Sequence, residues 1–417
     1  MNILILTIGS RGDIQPFVAL GARARAEGHR VTVCTASSFQ GFVEAQGLIY
    51  APMTDELIRL ADSKAGREAV EGGGKLGLMK QVMPIIRQML SDAWDATQTA
   101  LPNVLIYHPK TLGGYSIAEK TRVPVFAALP LPYNTPTSAF PAPMLVQRNL
   151  GGALNRFSYR LIGAASAPYA GVVNRFRKEV LGLPPRGRFA ADERRPDGSP
   201  MPVLYAYSPQ VLPTPEDYPP HAHVTGYWFL DEGDDWQPPA DLAHFLEAGA
   251  PPVYIGFGSM VGKDPAARAR LILEALAQSG QRGLLASGWG GLTAADLPEN
   301  VFMIEQAPHS WLFPRVAAVV HHGGAGTTAA GLRAGKPTLI CPFFGDQPFW
   351  GARVAALGVG PQPISQKALT AEALAAAIRT MVTDAGMQGR AADLGARIRA
   401  EDGTGRAVAI LEKAVGK

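Results

Sequence analysis

Short runs of consecutive apolar residues, each followed by glycine and then by a helical pattern, recur along the chain. Residues 3–7 form the first run, a glycine loop at 9–12 follows it, and a helical segment then extends to Gly28. A second run, residues 30–34, begins directly after that glycine. Such runs are typical of strands buried on both faces, which need helical crossovers between them. The opening therefore predicts a parallel, doubly wound α/β sheet.

The same pattern continues to residue 207 and then restarts after an acidic, proline-containing stretch at 231–239. The remaining strands that we predict for the first sheet are 104–107, 123–128 and, as its last strand, 203–207. In the second half, residues 252–259 are predicted as a strand that leads into a glycine loop, and further strands are predicted at 283–287, 301–305, 317–321 and 338–341. The helices predicted between them include 115–120 and 268–278. We therefore predict an N-terminal domain over 1–228, a linker over 229–250, a C-terminal domain over 251–390, and a helical tail over 391–417 that packs back toward the first domain.

Two regions depart from this pattern. Residues 129–143 contain five prolines, which excludes regular structure there. Residues 144–183 mix apolar residues with arginine and lysine in a basic, amphipathic helical pattern. The interpretation that we favour is a pair of helices packed on the sheet. The alternative is a hydrophobic acceptor wall or a membrane-facing surface.

Composition narrows the class of protein. The 417 residues carry 39 basic and 35 acidic side chains, a net charge of only +4, and contain no basic run, which argues against nucleic acid binding. The two cysteines, Cys34 and Cys341, lie in separate apolar runs and predict buried free thiols rather than a disulfide framework or metal site. With no apolar stretch of membrane-spanning length and no signal peptide, we expect a cytoplasmic protein, with membrane association as the alternative.

The strongest chemical signal is the sequence His-His-Gly-Gly-Ala-Gly-Thr-Thr at 321–328, between a predicted strand and a short helix. Glycines let the backbone approach a ligand closely, and a helix N-terminus offers unpaired N–H groups that suit a diphosphate. Thr327 or Thr328 can cap the helix or bond a phosphate oxygen, and His321 can donate to a phosphate. A tight turn beside a core histidine is the alternative, but four small residues in a row favour phosphate binding.

Two further loops follow predicted strands of the same half. Asp346 and Gln347 come after the strand at 338–341, and an acid beside an amide can hold vicinal sugar hydroxyls. Alone, the pair is more often a helix start. Ser259, in the glycine loop at 256–260, can bond a phosphate oxygen, although the loop also fits a plain strand-to-helix turn.

The first glycine loop ends in Asp13, near the carboxyl end of the first strand. A carboxylate there can deprotonate an acceptor hydroxyl, and an N-cap aspartate is an equally good interpretation. Neither a G-x-G-x-x-G fingerprint nor a P-loop is present. His108 ends the strand at 104–107, where it orients Asp13 or is simply a surface histidine, which is the interpretation that we favour.

Together, residues 9–16 and the block 319–360 resemble family 1 glycosyltransferases of the GT-B fold, most closely the sterol glucosyltransferases and glycopeptide-aglycone glucosyltransferases. The resemblance implies two facing Rossmann-like domains with parallel sheets and an interdomain cleft. The N-terminal domain would hold the acceptor and the C-terminal domain a nucleotide sugar. The implied reaction is an inverting single displacement that needs no metal and no cofactor.

The resemblance also implies residue roles. Asp13 stands where many relatives carry a histidine base, His321 matches the histidine on the diphosphate, and Asp346 and Gln347 match the pair that holds sugar hydroxyls. Gln306 stands where plant relatives carry a base-stacking tryptophan, and Ala329 where they carry a ribose-binding glutamate. These two departures leave both UDP and TDP open as the nucleotide, and UDP is the one that we favour. The candidate catalytic residues are Asp13 and His321, and the candidate donor-binding residues are Ser10, Gly12, Ser259, Gln306, His321, Gly324, Ala325, Gly326, Thr327, Asp346 and Gln347.

The sequence therefore predicts transfer of a hexose, with glucose favoured, from a nucleotide diphosphate sugar to a hydroxyl of a lipophilic acceptor such as a sterol, polyketide or flavonoid. Candidate acceptor-binding residues are His108, Pro132, Tyr133 and Phe140. The expected partners are small molecules, with peripheral membrane contact as an additional hypothesis, and no nucleic acid. The alternatives are a sugar-nucleotide epimerase or hydrolase on the same fold and a non-catalytic glycosyltransferase-like auxiliary protein.

Overall fold

Parallel pairing joins the strands that the structure describes, and they form two separate sheets. The computed structural model describes residues 1–63, 75–146, 148–188, 195, 198–231, 236–257, 264–286 and 297–416. The strands of the first sheet are β1 (Asn2–Leu6), β2 (Arg30–Ala36), β3 (Ile49–Met53), β4 (Val104–Tyr107), β5 (Val125–Leu129), β6 (Val203–Tyr205) and β7 (Ala222–Val224). Those of the second sheet are β8 (Val253–Gly256), β9 (Gly283–Ala286), β10 (Val301–Ile304), β11 (Ala318–His321) and β12 (Thr338–Ile340).

Helices alternate with these strands. In the first half they are α1 (Arg11–Ala26), α2 (Gln40–Ala45), α3 (Glu56–Asp62), α4 (Lys75–Ala100), α5 (Gly114–Thr121), α6 (Gly152–Ser158), α7 (Arg160–Ser166) and α8 (Ala170–Phe176). In the second half they are α9 (Ala240–Glu247), α10 (Pro265–Ser279), α11 (His309–Leu312), α12 (Ala325–Arg333), α13 (Gln347–Ala356), α14 (Ala371–Thr383), α15 (Ala385–Arg399) and α16 (Gly403–Val415). Among the helices described, none combines the length and the apolar character needed to cross a membrane.

The described chain divides into two compact units. The first consists of Met1–Tyr207, Thr214–Leu230 and Asp402–Lys417, and the second of Ser208–Pro213 and Asp231–Glu401. Each contains one sheet, so the predicted fold class, two parallel-sheet α/β domains, is confirmed. The last helix, α16, belongs to the first unit, where Ala407, Val408 and Leu411 are buried in the core beside Phe17 and Trp228.

Burial explains why the apolar runs form strands. Ile3 and Ile5 of β1 lie in the core of the first unit, and Val253 and Ile255 of β8 lie in the core of the second. Both cysteines are buried and free, as predicted. Burial raises the pKa of the Cys341 thiol to about 12, which makes it unreactive.

Two strands of the first sheet were not anticipated. We predicted 203–207 as the last strand, and this is wrong, because β6 ends at Tyr205 and β7 pairs beyond it at the edge of the sheet. β3 at the other edge was missed as well. Edge strands pair on one side only, so their sequences need not be continuously apolar; β3 contains the exposed Ile49 and Pro52.

Residues 144–183 do not form the pair of helices that we favoured. They contain three short α-helices, α6 to α8, followed by a π-helical turn at Arg177–Leu181. A 3-10 turn at Ala167–Tyr169 separates α7 from α8. Pro168 within that turn lacks an N–H group, which interrupts the helical hydrogen bonding. Irregular structure is confirmed over 130–143, whereas Leu129, which we placed in the same segment, is the last residue of β5.

Candidate active site

Strand order fixes where a ligand can bind on each unit. The first sheet runs β3-β2-β1-β4-β5-β6-β7 and the second β10-β9-β8-β11-β12. In each, the chain moves outward in one direction and then crosses to the other side, so the order reverses between β1 and β4 and between β8 and β11. The carboxyl ends of the strands at such a reversal border a crevice where α/β proteins bind ligands. Asp13, His108 and His321 lie just at or beyond the ends of these strands.

Asp13 lies in the first turn of α1, just beyond the carboxyl end of β1. Ser10, not Asp13, is the N-cap residue of this helix. The Ser10 N–H and hydroxyl both donate to Asp13 Oδ2, at 3.0 and 3.1 Å. Asp13 is therefore held in place by the helix start and leaves its other oxygen, Oδ1, for further contacts.

His108 lies directly after β4 and is buried, so our favoured interpretation of a surface histidine is wrong. The Phe17 ring contacts its imidazole edge to face. Its Nδ1 accepts a hydrogen bond from the Lys110 N–H at 3.0 Å, which places the proton on Nε2. Burial lowers the pKa of His108 to about 3, so the imidazole is neutral. Its Nε2 lies 4.0 Å from Asp13 Oδ1.

Lys110 is a neighbour of Asp13 that the sequence analysis missed. Its Nζ atom donates to Asp13 Oδ1 at 2.5 Å. Burial alone would raise the pKa of Asp13, but the Lys110 ammonium and the hydrogen bonds from Lys110 and Ser10 outweigh burial and lower it. Asp13 is thus an ionised carboxylate at neutral pH. The signal for Lys110 was available only from topology, because β1 and β4 pair side by side with Leu6 opposite Tyr107.

Gly9 is a second residue that the analysis left without a role. Its φ angle is +137°, and a Cβ atom there would lie 2.3 Å from Asp13 Oδ2. By contrast, the nearest atom to a Cβ at Gly12 would be 3.8 Å away. Glycine at position 9 therefore allows the Asp13 carboxylate to fold back against the loop.

The candidate acceptor residues belong to the irregular segment that follows β5, the strand beside β4. Pro132 is buried, and Tyr133 and Phe140 are half-buried. The segment is anchored by two contacts: the Thr135 N–H donates to the Tyr205 hydroxyl at 2.7 Å, and the Ser138 N–H donates to Asp217 at 2.7 Å. These bonds hold an irregular chain in one place at the same edge of the sheet as His108.

His321 is the last residue of β11 in the second unit and is fully buried. Its Nδ1 accepts a hydrogen bond from the Gly323 N–H at 2.9 Å, so its proton is on Nε2. Burial, followed by the neighbouring His322 and His309, lowers the pKa of His321 well below the usual value. Within the described part of the chain, Nε2 has no hydrogen-bond partner. A buried N–H donor without a partner is rare in proteins and suggests that a ligand completes the site.

The glycine loop between His321 and α12 is tightly constrained. Gly323 has a φ angle of +98°, and a Cβ atom there would lie 2.6 Å from Ile340 Cγ2. Gly324 is the N-cap residue of α12, so the N–H groups of Ala325, Gly326 and Thr327 form its first turn. The Thr328 hydroxyl is already hydrogen-bonded within the helix start, because it donates to the Gly324 carbonyl at 2.9 Å. Of the two threonines, Thr327 is the one left to contact a ligand.

Asp346 and Gln347 begin α13, beyond the carboxyl end of β12. The Trp350 indole N–H donates to Asp346 Oδ2 at 2.9 Å, and Gln347 Oε1 accepts from the Phe343 N–H at 2.7 Å. The amide oxygen of Gln347 thus bonds back to the backbone of the loop that precedes α13. A Cβ atom at Gly323 would lie 3.1 Å from Gln347 Cβ, so the two loops pack together. The structure therefore brings the His321 loop and the Asp346–Gln347 pair side by side.

Not every candidate joins this group. Gln306 is exposed and follows β10, three strands away from β11. Ser259, which follows β8, lies outside the described residues, as does Trp289, a residue that could stack on a base.

Comparison with known proteins identifies both halves. Residues 3–141 match the model of the glycosyltransferase family 28 N-terminal domain, and residues 290–412 match that of the erythromycin biosynthesis protein CIII-like C-terminal domain. Sterol 3-beta-glucosyltransferase UGT80B1 of Arabidopsis thaliana is 39% identical over 98% of this chain and 67% of its own length. The chain belongs to the sterol 3-beta-glucosyltransferase family. The predicted family is confirmed.

Other members of this family are longer. The sterol 3-beta-glucosyltransferase of Aspergillus clavatus is 40% identical over 98% of this chain, but the chain spans only 29% of that protein's length. The fungal relative therefore contains sequence beyond the part that matches this chain.

Solved structures confirm the GT-B fold. The glycotransferase of kitacinnamycin matches 99% of this chain and 98% of its own with a TM-score of 0.72 at 20% identity. The spinosyn rhamnosyltransferase SpnG, solved in complex with thymidine diphosphate, matches 99% and 100% with a TM-score of 0.65 at 20% identity. The same enzyme has also been solved with the spinosyn aglycone.

Proposed function

We propose that this protein transfers a hexose from a nucleotide diphosphate sugar to a hydroxyl group of a lipophilic acceptor. The observation that carries the proposal is the buried, unpartnered Nε2–H of His321 beside the first turn of α12. Both groups offer positive electrostatic potential where a diphosphate leaving group needs it. Glucose and a sterol are the favoured sugar and acceptor, because the relatives are named sterol 3-beta-glucosyltransferases.

Asp13 is the proposed general base. It is ionised, and its Oδ1 atom is the oxygen that the helix start leaves for other partners. As an acceptor hydroxyl attacks the anomeric carbon, its proton passes to this carboxylate. A single displacement inverts the configuration at that carbon. His108 has no free nitrogen to take the proton, because Nδ1 accepts from the Lys110 N–H and Nε2 carries a hydrogen, and it is proposed to contact the acceptor or to orient Asp13.

The second unit is proposed to bind the donor. Negative charge grows on the diphosphate as the bond to the sugar breaks, and preorganised donors stabilise it there. The proposed donors are His321 Nε2 and the N–H groups at Gly324–Thr327, while Asp346 and Gln347 hold sugar hydroxyls. Ser259 and Gln306 of this unit, and Ser10 and Gly12 of the first unit, are further candidates for contact with the donor, although Gln306 lies apart from the His321 loop. UDP is the favoured nucleotide, and the thymidine diphosphate complex of SpnG keeps TDP as the alternative.

The proposed reaction needs no metal, because the helix end and His321 supply the stabilisation that a cation would otherwise give. Among the described residues, Glu27, His29 and Glu412 form one group with the spacing of metal ligands. It lies at the amino end of β2, at the sheet edge opposite Asp13. We expect EDTA to leave the transfer rate unchanged, and loss of activity that Mg²⁺ restores would contradict this.

Replacing Asp13 tests the proposal. Asp13→Asn removes the base without changing the size of the side chain, so transfer from UDP-glucose should fall by roughly a hundredfold or more. UDP binding, measured by calorimetry, should be unchanged. Asp95→Asn, an exposed aspartate in the same unit, is the matched control. Transfer by Asp13→Asn at the rate of the unmodified chain would overturn the assignment.

Replacing His321 tests the donor side separately. His321→Ala should weaken UDP binding and slow transfer by roughly a hundredfold to a thousandfold, the typical cost of one such donor. His244→Ala, an exposed histidine of the same unit, is the control. Unchanged UDP affinity in His321→Ala would remove the diphosphate role.

The two alternatives are separated by product analysis. An epimerase or hydrolase would convert labelled UDP-glucose in the absence of any acceptor, whereas a transferase releases UDP only as a glycoside forms. A non-catalytic auxiliary protein would bind nucleotide and release nothing. We expect glycoside from a panel of sterols and other lipophilic alcohols, detected by mass spectrometry.

A further inference from the structure

The helical stretch that follows residue 150 turns its apolar side chains outward. Leu150 lies just before α6, where its N–H donates to Asn155 Oδ1 at 2.9 Å, and Leu154, Phe157 and Leu161, spaced by three and four residues, lie on one helical face. In sequence order, these four apolar residues are 44%, 59%, 56% and 46% exposed. The stripe continues across the junction of α6 and α7, because Tyr159 between them keeps helical backbone angles.

The side of α6 that faces its own unit buries polar residues, whereas a helix on a globular protein usually buries an apolar face. Asn155 and Ser158 are 1% and 3% exposed. Asn155 Nδ2 donates to the Ser138 carbonyl at 3.0 Å, and the Ser158 hydroxyl accepts from the Ala142 N–H at 2.8 Å. The helix is therefore fixed to its unit by polar bonds, and Leu154 and Phe157 remain exposed instead of joining the core.

The charged side chains of the segment that carries this stripe are all basic. Between residues 144 and 178 the sequence contains six basic residues and no aspartate or glutamate. Arg177 does not contribute, because it is buried and paired with Glu119 at 2.7 Å. Arg148, Arg156 and Arg160 are exposed, and the Arg160 guanidinium lies 5.3 Å from the centre of the Phe157 ring. Arg156 approaches one carboxylate, that of Asp217, at 3.5 Å.

We propose that the apolar–basic face, formed by Leu150, Leu154, Phe157, Leu161, Arg148, Arg156 and Arg160, binds the surface of a bilayer that contains anionic lipids. Apolar side chains at the level of the acyl chains and arginines at the level of the headgroups are the combination that interfacial helices use. Neither an aqueous surface nor an acidic protein partner explains the exposed leucines and phenylalanine as well, because both leave them in contact with polar groups.

This inference goes beyond the proposed function and does not depend on it. If both hold, membrane binding would place the candidate acceptor residues close to the bilayer. The Asn155–Ser138 hydrogen bond ties the apolar–basic face to the irregular segment 130–143, which contains the candidate acceptor residues. A lipophilic acceptor would then reach those residues from the membrane rather than through water, where its concentration is low.

Vesicle sedimentation tests the proposal without requiring catalysis. The full chain is mixed with sucrose-loaded vesicles of phosphatidylcholine alone or with about 30% phosphatidylserine. We expect the chain to pellet with the anionic vesicles and to dissociate as salt is raised, because each arginine near the surface strengthens binding by roughly fivefold. Leu154→Ser/Phe157→Ser should reduce pelleting at least tenfold, and Arg148→Gln/Arg160→Gln should remove most of its salt dependence.

A matched control accounts for the change in surface polarity. Leu101 is 72% exposed in the same unit but lies outside the apolar–basic face, so Leu101→Ser should pellet like the unmodified chain. Since Leu154 and Phe157 are exposed, their replacement should leave the circular dichroism spectrum and UDP binding unchanged. The proposal is overturned if the chain stays in the supernatant with anionic vesicles, or if Leu154→Ser/Phe157→Ser pellets equally well. A self-association that this variant abolishes, without vesicle binding, would also overturn it.

Discussion

At the scale of single residues, the environment of Asp13 decides what chemistry the first unit can do. A carboxylate that is mostly covered by protein would ordinarily resist ionisation, but here one oxygen is held by Ser10 and the other by Lys110. The same contacts that ionise Asp13 also reduce its basicity. An acceptor hydroxyl must therefore displace Lys110 from Oδ1 or share that oxygen with it.

Replacing Lys110 should change the pH dependence of transfer. Lys110→Met removes the ammonium that lowers the pKa of Asp13, so this pKa should rise. Because the base works only when deprotonated, the acid limb of kcat/KM should move to higher pH, and the rate at low pH should fall. Lys110→Arg keeps the positive charge and should restore the original profile.

The difference between these two variants should shrink at high salt, since half of the Lys110 side chain is exposed to solvent. An acid limb at the same pH in the unmodified chain and in Lys110→Met would show that Lys110 does not tune Asp13.

Gly9 should be intolerant of any side chain. Gly9→Ala places a methyl group 2.3 Å from Asp13 Oδ2 and imposes a φ angle of +137° on alanine, so we expect a loss of about 1–3 kcal/mol in the free energy of unfolding, together with loss of transfer. Gly12→Ala meets no atom closer than 3.8 Å and should keep or increase stability. Chemical denaturation measures both, and equal stability of the two variants would contradict the argument.

At the scale of elements, two helix ends carry the candidate site. α1 starts at Arg11 after β1 with Ser10 as its N-cap, and α12 starts at Ala325 after β11 with Gly324 as its N-cap, so both use the short connection from strand to helix. In one case the helix start fixes a carboxylate, and in the other it leaves its N–H groups for an anion. The difference lies in the residues at the turn. The first turn contains Ser10 and Asp13, and the second contains small residues, Gly323, Gly324 and Ala325.

The last helix, α16, should be essential to the stability of the first unit. Leu411 is fully buried there, so Leu411→Ala should cost about 2–5 kcal/mol. The exposed Lys413→Ala on the same helix is the control. Because Leu411 has no place in the second unit, UDP affinity should be the same in both variants at temperatures where each is folded.

Thermal unfolding followed by calorimetry distinguishes these effects. If Leu411→Ala unfolds at the same temperature as Lys413→Ala, then α16 does not contribute to the core as its burial indicates.

At the scale of the whole molecule, most residues up to Leu230 belong to the first unit and most of those from Asp231 to Glu401 to the second. The last residues, from Asp402, belong to the first unit again. The acceptor and donor functions proposed here are divided between these units, so a ligand of one should stabilise that unit directly. UDP at a hundred times its dissociation constant should stabilise the second unit by about 2.7 kcal/mol.

Hydrogen exchange locates that effect. UDP should slow exchange most at the amides of residues 323–328 and 343–347, which surround the proposed diphosphate and sugar positions. His321→Ala, measured at the same UDP concentration, serves as the control and should lose this protection. Protection confined to residues 10–13 of the first unit would contradict the proposed division of roles.

The sequence by itself determined the fold class and the candidate loops. Short continuous apolar runs bounded by turn residues favour buried strands, so β4 was predicted to the residue and β1 and β11 to within one residue at each end. The positions of Asp13 and His321 follow from those strand ends. The edge strands β3 and β7 were not predicted, because a strand that pairs on one side only does not need a continuous run of apolar residues.

Only the tertiary structure decided which residues meet. Lys110 is 97 positions from Asp13 along the chain, and the side-by-side pairing of β1 and β4 brings its ammonium to the carboxylate. His108 was mistaken for a surface residue because its burial comes from Phe17 on another element. The outward face of α6 was equally hidden, since a helical pattern shows that one face is apolar but not which face the rest of the protein covers. The local sequence pattern determines where helices and strands form. The packing of segments that are distant in the sequence determines which side chains are buried, which are exposed and which are ionised.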